Sequence, residues 1–340
     1  MVEQAFNLGW IKDLRGQFSM FAGVLFALAA GLMWGLIFVG PVLVPDYPGA
    51  LQSVGRYLAF GLIALPLAWR DWHRLRLLSR SDWLEALKLV LIGNLLYYTF
   101  LANAIQRTGA PVSTMIIGTL PVVISLCANL LYGRHEGRLD WRKLLPALAL
   151  IAVGLVCVNV AELQGNLVQT DLWRYLSGIA MAVLAMICWT WYPLRNARWL
   201  RQHPDSKGTT WATAQGIATL PLAAMGYLLV SVQLYFTQPE FALPLGPRPE
   251  VFVPLMITLG LLCSWLGALC WNEASQRLPT VLVGPLIVFE ILSGLAYNFL
   301  LRQSWPPMLT LSGIVCLVAG VVIATRIKPE SVITEATVDK

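Results

Sequence analysis

Ten stretches of this 340-residue chain, each about 20 residues long and apolar almost throughout, leave it very few ways to fold. Twenty residues at 1.5 Å per residue make a helix about as long as the ~30 Å hydrocarbon layer of a bilayer is thick. Inside that layer no water can take up backbone N–H and C=O groups, so each stretch must satisfy its own as a helix. The stretches read 18–40, 50–69, 83–103, 110–132, 144–162, 175–195, 209–236, 251–275, 280–301 and 306–325. The sequence therefore predicts an all-α polytopic membrane protein of ten transmembrane helices. Composition agrees: 57% of residues are hydrophobic and 12% charged, against about 25% charged in a soluble domain.

The basic residues orient the helices. Assigning alternate loops to alternate sides puts 18 of the 24 Lys and Arg on one face, in the N-terminal segment, loops 70–82, 133–143, 196–208 and 276–279, Arg195 and the C-terminal tail. Four (Arg107, Arg174, Arg248 and Arg302) fall on the other face, and Arg56 and Lys88 lie within spans. By the positive-inside rule both termini are expected in the cytoplasm, in a bacterial inner membrane. The bases form no patch or stripe, so the net charge of +6 is a topology signal and no nucleic-acid partner is expected. Residues 1–17 are read as a cytoplasmic segment able to lie on the membrane surface, and 326–340 as a cytoplasmic tail. All six cysteines sit in apolar windows without a CxxC spacing, so neither disulfide nor metal is expected.

The two halves, 18–162 and 175–325, repeat one another. Gly23 and Trp34 match Gly178 and Trp189 at the same spacing, and "NAIQR" (103–107) matches "EASQR" (273–277). Five spans is an odd number, so the second copy must insert upside down. Two inverted five-helix repeats are a recurring plan of secondary transporters, which hold their substrate near the midplane and rock about it.

With ten spans in two such repeats, Trp34-Gly35 in the first span, Arg56 in the second, Trp189 late in the sixth, and "WNEASQRLPTVLVGPLIVFE" linking the eighth to the ninth, the chain resembles the drug/metabolite transporter superfamily, EamA-type. The resemblance covers roughly 18–325. It implies transport of small metabolites, often amino-acid export. Two positions depart from the family pattern. Pro121 keeps a frequent proline of the fourth span, whereas the ninth-span counterpart is Ile291. Arg134 and Ser304 replace glutamates common at the ends of those spans.

The polar inventory within the spans is short. All Asp and His lie in loops or near span ends, and only Glu290, in "LIVFEILSGLAYNFL", is a deep acid. An acid at a spanning helix's centre costs roughly 2.5–3.5 kcal/mol on the insertion scale, so it normally faces protein or a wet cavity. Ser293, Gly294, Tyr297 and Asn298 follow it on one helical face, which predicts that this stripe lines a cavity. Two roles are open to Glu290: binding a substrate amine or exchanging a proton, or fastening helices as a partner of Arg56. Arg56 is in turn a candidate for a substrate carboxylate. Trp34 and Trp189 suit walls for an amphipathic ligand, and Tyr98, Asn94, Asn103, Trp265 and Trp271 are further lining candidates. Pro121 and Pro285 are candidate kinks. Gly31-x-x-x-Gly35 reads as close helix packing.

The sequence thus predicts a secondary transporter exporting small amphipathic metabolites, amino acids or related compounds, with protons as an open coupling partner and no cofactor. A monomer and a homodimer are both compatible with it. A sugar or nucleotide-sugar carrier of the same fold is the alternative. An intramembrane transferase would need acids, bases or a metal gathered at one depth, which one deep Glu does not supply. A non-transporting scaffold or receptor is a further alternative, which solute flux would separate from a carrier. No GxxxxGK[ST] phosphate loop is present, so this chain has no direct ATP drive.

Overall fold

The computed structural model describes residues 2–108, 113, 116–131, 140–163, 172–303 and 305–327. These are helical nearly throughout, with no strand among them. The helices are α1 (Val2–Gly35), α2 (Gly49–Arg70), α3 (Arg80–Val90 running on through Leu91–Leu96 into Tyr97–Thr108), α4 (Leu120–Leu131), α5 (Trp141–Leu163), α6 (Leu172–Gln202), α7 (Gly208–Thr237), α8 (Pro249–Thr258 running on through Leu259–Leu266 into Gly267–Arg277), α9 (Thr280–Arg302) and α10 (Met308–Thr325). Nine of these stretches are long and apolar enough to cross a membrane, and Leu120–Leu131 is a shorter apolar helix. The first part of the fourth predicted span, the linker 164–171, Ser304 and the tail beyond 327 lie outside the described residues.

Local chemistry sets the helix starts. Pro48, Pro279 and Pro307 immediately precede α2, α9 and α10, and Pro249 opens α8, where a missing N–H costs nothing. At the head of α3 a capping box closes: Asp82 N donates to Ser79 Oγ (3.2 Å) and Ser79 N to the Asp82 carboxylate (2.8 Å). Residues 2–17 do not form a separate surface helix; α1 runs unbroken from Val2 into the first span.

The two candidate kink prolines sit in different settings. Residues 118–119 are a turn and α4 restarts at Leu120, so Pro121 lies in a helix's first turn, where proline is tolerated. Pro285 sits within an uninterrupted α9. The departures from α-helical winding are elsewhere. Leu91–Leu96 in α3 and Leu259–Leu266 in α8 are wound as π-helix, at corresponding places in the two halves.

The helices pair most extensively as α5–α10, α2–α7, α3–α6, α1–α9, α1–α8 and α4–α9. Exchanging each helix with the one five places on turns α3–α6 into α8–α1 and returns α2–α7, α4–α9 and α5–α10 to themselves. It turns α1–α9 into α6–α4, which also touch. This is the packing of two five-helix units related by a single exchange. One contact makes the point at atomic scale. A Cβ on Gly23 would lie 2.9 Å from Arg277 Cβ, and one on Gly178 would lie 2.8 Å from Arg107 Cβ. The two short sequence matches, Gly23/Gly178 and Arg107/Arg277, are thus the two sides of a single contact made twice.

Lipid tails are as apolar as Leu, so helices here associate through close packing rather than hydrophobic burial. Between α5 and α10, Gly154 and Gly313 face each other so closely that a Cβ on either would lie 2.7 Å from the other's carbonyl oxygen. We expect Gly154→Leu to separate α5 from α10 at a cost of about 1–3 kcal/mol, lowering the thermal midpoint in detergent by several degrees. An unaltered midpoint would mean that this pair is not packed as described.

Candidate functional site

At the centre of the bundle, aromatic side chains from several helices converge. Trp34 (α1) and Trp189 (α6) meet edge to face with ring centroids 5.6 Å apart. Trp189 stacks on Tyr97 (4.9 Å) and on Tyr192 (5.2 Å), and Trp34 packs on Trp271 (5.1 Å). Trp34 is fixed by its Nε1–H, which donates to the Cys263 carbonyl at 2.8 Å. Cys263 lies in the π-helical part of α8, where wider winding releases carbonyls from the ordinary i→i−4 pattern. Gly93 makes the matching π-helical part of α3 approachable: a Cβ there would lie 2.3 Å from the Tyr192 ring.

These residues surround a cavity of about 30 Å³ whose lining includes Trp34, Arg56, Asn94, Trp189, Gln215 and Glu290. That is room for a water or two, so the state described is closed around a site, without space for a metabolite.

Arg56, on α2, is buried at 6% exposure. Its Nε donates to Ser264 Oγ at 3.0 Å, and its guanidinium lies 5.0 Å from the Tyr57 ring centroid and 6.0 Å from that of Tyr98. Ring faces attract a cation without neutralising it. Glu290, on α9, is 7% exposed and lines the same cavity. Among the described residues no base lies within 4.0 Å of its carboxylate and no donor hydrogen-bonds to it. The structure therefore brings Arg56 and Glu290 to one cavity without pairing them. A buried carboxylate in this position needs a proton or a cation from elsewhere.

The other sequence candidates divide. Trp34, Trp189 and Asn94 line the cavity, with Asn94 placed there by the π-helical stretch. Tyr98 stands behind Arg56, and Trp271 behind Trp34. Asn103 bonds to the Thr99 carbonyl of its own helix (2.9 Å), and Trp265 to Thr213 Oγ1 (3.2 Å). The stripe after Glu290 is a packing face, not cavity wall. A Cβ on Gly35 would lie 2.5 Å from Ser293 Cβ and 2.8 Å from Gly294 N, and Tyr297 OH donates to the Leu32 carbonyl at 3.0 Å. Small and polar residues suit a helix seam as well as a cavity, and here α1 fills the space. The Asn298 side chain lies outside the described residues.

Sequence reasoning overlooked Gln215, Tyr192 and Ser264. Gln215 had a signal: α2 and α7 both begin with glycine, Gly49 and Gly208, and Arg56 and Gln215 are each seven residues further on. They are equivalent positions of the two halves, one charged and one neutral. Gln215 also opens a buried polar chain. Tyr192 OH donates to Gln215 Oε1 (2.9 Å), Gln215 Nε2 and Trp211 Nε1 donate to Asn196 Oδ1 (3.1 and 2.8 Å), and Asn196 Nδ2 donates to Asn272 Oδ1 (2.8 Å). A fully satisfied network of this kind rigidifies the wall it crosses.

The comparisons with known proteins agree with this architecture. Residues 21–160 match the EamA-like transporter family. The chain is 62% identical over 317 residues to the inner membrane protein YtfF of Escherichia coli (strain K12), covering 93% of this chain and 99% of that one. One solved crystal structure shares the fold at a TM-score of 0.68 and 17% identity, over 89% of this chain and 96% of its own. A multi-pass helical chain whose close relative over nearly its whole length sits in the inner membrane is itself an inner-membrane protein, and it belongs to the EamA-like transporter family.

Proposed function

We propose that this protein exports small zwitterionic metabolites, amino acids or close relatives, by alternating access of two inverted five-helix repeats around the Arg56–Glu290 cavity. One observation carries the reading: a buried cation and a buried anion border a single cavity and are not paired with each other. Two such charges are costly to keep apart in a low-dielectric setting. A solute carrying both an ammonium and a carboxylate offsets that cost on both sides, taking Glu290 through its amine and Arg56 through its carboxylate. The aromatic walls suit an apolar side chain between the two ends.

In the proposed cycle, the closed cavity opens to one face, admits the solute, closes and opens to the other. Energy comes from the substrate's own gradient or from protons exchanged at Glu290 when no amine is bound. Besides the two charges, the cavity's polar side chains are Asn94, Gln215, Ser264 and the tyrosines Tyr57, Tyr97 and Tyr192, of which Tyr192, Gln215 and Ser264 already bond to protein partners. This favours a zwitterion over a sugar, whose many hydroxyls would each need a partner.

The test compares metabolites released into the medium by cells overproducing the wild type, Glu290→Gln, Arg56→Gln and an empty vector at matched expression. We expect a zwitterionic compound to be released by the wild type and its release to fall at least about tenfold in either variant, the usual scale for removing one partner of a desolvated charge contact. Release of a sugar instead, or equal release by wild type and both variants, would overturn the reading.

A second outcome follows from the unpaired carboxylate. Glu290→Gln removes a buried charge and breaks no ion pair, so the variant should insert normally and unfold at the same temperature as the wild type or a higher one. A clearly lowered midpoint would show that Glu290 instead fastens helices.

A further inference from the structure

Two junctions near the two ends of the bundle, here called doors, are built alike. On the face opposite the arginine-rich loops, Arg248, just before α8, is paired with Asp46, just after the first span, with Nε 3.0 Å from Oδ2. Beside them the Tyr47 side chain is 3% exposed, stacks on Phe252 of α8 at 4.2 Å and 3°, donates to the Leu245 carbonyl (3.0 Å) and accepts from Arg248 N (2.8 Å). On the arginine-rich face, Arg195 near the end of α6 holds Glu85 near the start of α3 through one guanidinium edge, Nε and Nη2 each donating to one carboxylate oxygen. Beside them Trp199, 5% exposed, stacks on Trp211 at 3.4 Å and 8° and donates from Nε1 to Asp82 at 2.9 Å, with His203 3.4 Å from the same carboxylate.

The correspondence goes beyond composition. Each door consists of one Arg–carboxylate pair and one buried aromatic that both stacks and hydrogen-bonds. In both doors the acid comes from the first half of the chain (Asp46, Glu85) and the base from the second (Arg248, Arg195). The first door joins the end of the first span to the start of α8, and the second joins the end of α6 to the start of α3. Exchanging each helix with the one five places on converts one junction into the other, at opposite faces of the membrane.

We propose that these are the two gates of the transport cycle: Asp46–Arg248 with Tyr47 closes the outer face, Glu85–Arg195 with Trp199 closes the cytoplasmic face, and each breaks when its own face opens. The assignment rests on the alternating-access reading above. It also explains why both junctions close with ion pairs whose arginines stay partly exposed, although Glu85 itself is buried, rather than with apolar contacts. A partly exposed guanidinium is readily resolvated, so the pair can be broken once per cycle, while the stacked aromatic beside it shields the closed state from water.

The test uses Cys263, which borders the central cavity, as a reporter. In full-length protein with the other five cysteines replaced by alanine, the rate of labelling by a membrane-impermeant maleimide is measured from outside in intact cells and from the cytoplasmic side in inverted vesicles. We expect Arg248→Ala to raise outside labelling about two- to five-fold, the factor given by losing one half-exposed ion pair. Arg195→Ala, which takes the arginine away from a buried carboxylate, should raise cytoplasmic labelling by at least that factor and lower outside labelling. A second pair of measurements holds a gate shut. Asp46→Cys with Arg248→Cys, oxidised, should block outside labelling and leave cytoplasmic labelling in place, with reductant reversing the block.

Substitutions that leave both rates unaltered, or shift both in the same direction, together with a disulfide that blocks neither face, would overturn the assignment. The readout needs no knowledge of the solute. Labelling that shifts as expected in a protein that releases nothing would keep the gates and refute export. Release without any shift would keep export and refute the gates.

Discussion

Close approach of helix backbones at glycine is the contact on which the rest of this structure depends. In water, packing could rely on burying Leu and Val, but here exposed apolar side chains such as Leu228, Leu229 and Val232 face a solvent as apolar as themselves. What remains is dispersion at short range and the occasional hydrogen bond. The glycines of α1 illustrate this. Gly23 seats the Arg277 end of α8, Gly31 lies against Phe289 and Glu290, and Gly35 lies against Ser293 and Gly294. With α1 held so tightly on α9, Glu290 is set beside the cavity and the residues one and two turns beyond it are sealed from it. The position of the deep carboxylate is thus a consequence of where α1 can approach.

The π-helical stretches are the second determinant. A helix that packs tightly presents a smooth, self-satisfied backbone, which offers nothing to a polar side chain. The wider winding at Leu91–Leu96 and Leu259–Leu266 changes that at corresponding depths of the two halves. One delivers Asn94 to the cavity. The other delivers Cys263 and Ser264, whose carbonyl and hydroxyl anchor Trp34 and Arg56. The aromatic wall and the buried cation are therefore held by backbone irregularity, with no acid required.

This division explains what was legible in the sequence. Span positions could be read because hydrocarbon thickness fixes helix length, and the repeat because Gly23/Gly178 and Arg107/Arg277 must be kept together for their contact to exist. Glu290 stood out because a deep acid is expensive. The stripe of Ser293, Gly294 and Tyr297 was assigned to the cavity because small and polar residues serve a lining and a seam equally, and only the position of α1 separates the two. The π-helical stretches carry no proline, and their glycines, Gly93 and Gly260, read equally well as close-packing residues, so Ser264 could not be distinguished from a packing serine. Gln215 was readable in principle through the shared glycine starts of α2 and α7, but its partner position holds an arginine and no residue identity drew attention to it.

Symmetry in the scaffold and asymmetry in the site then fit together. A carrier built from two inverted copies can close at either face by the same kind of junction, and the doors at Asp46–Arg248 and Glu85–Arg195 have that form. The zwitterionic solute proposed above is not symmetric, so a site that holds it between the doors would not be either. Arg56 faces an inversion-related Gln215, and the acid Glu290 belongs to the second half alone. On the proposed cycle, the copies share what would be done twice, which is opening and sealing, and differ where a single solute with distinct ends would be held once. Equal charges at both equivalent positions would repel each other across a cavity of this size and would favour a symmetric dication or dianion over a zwitterion.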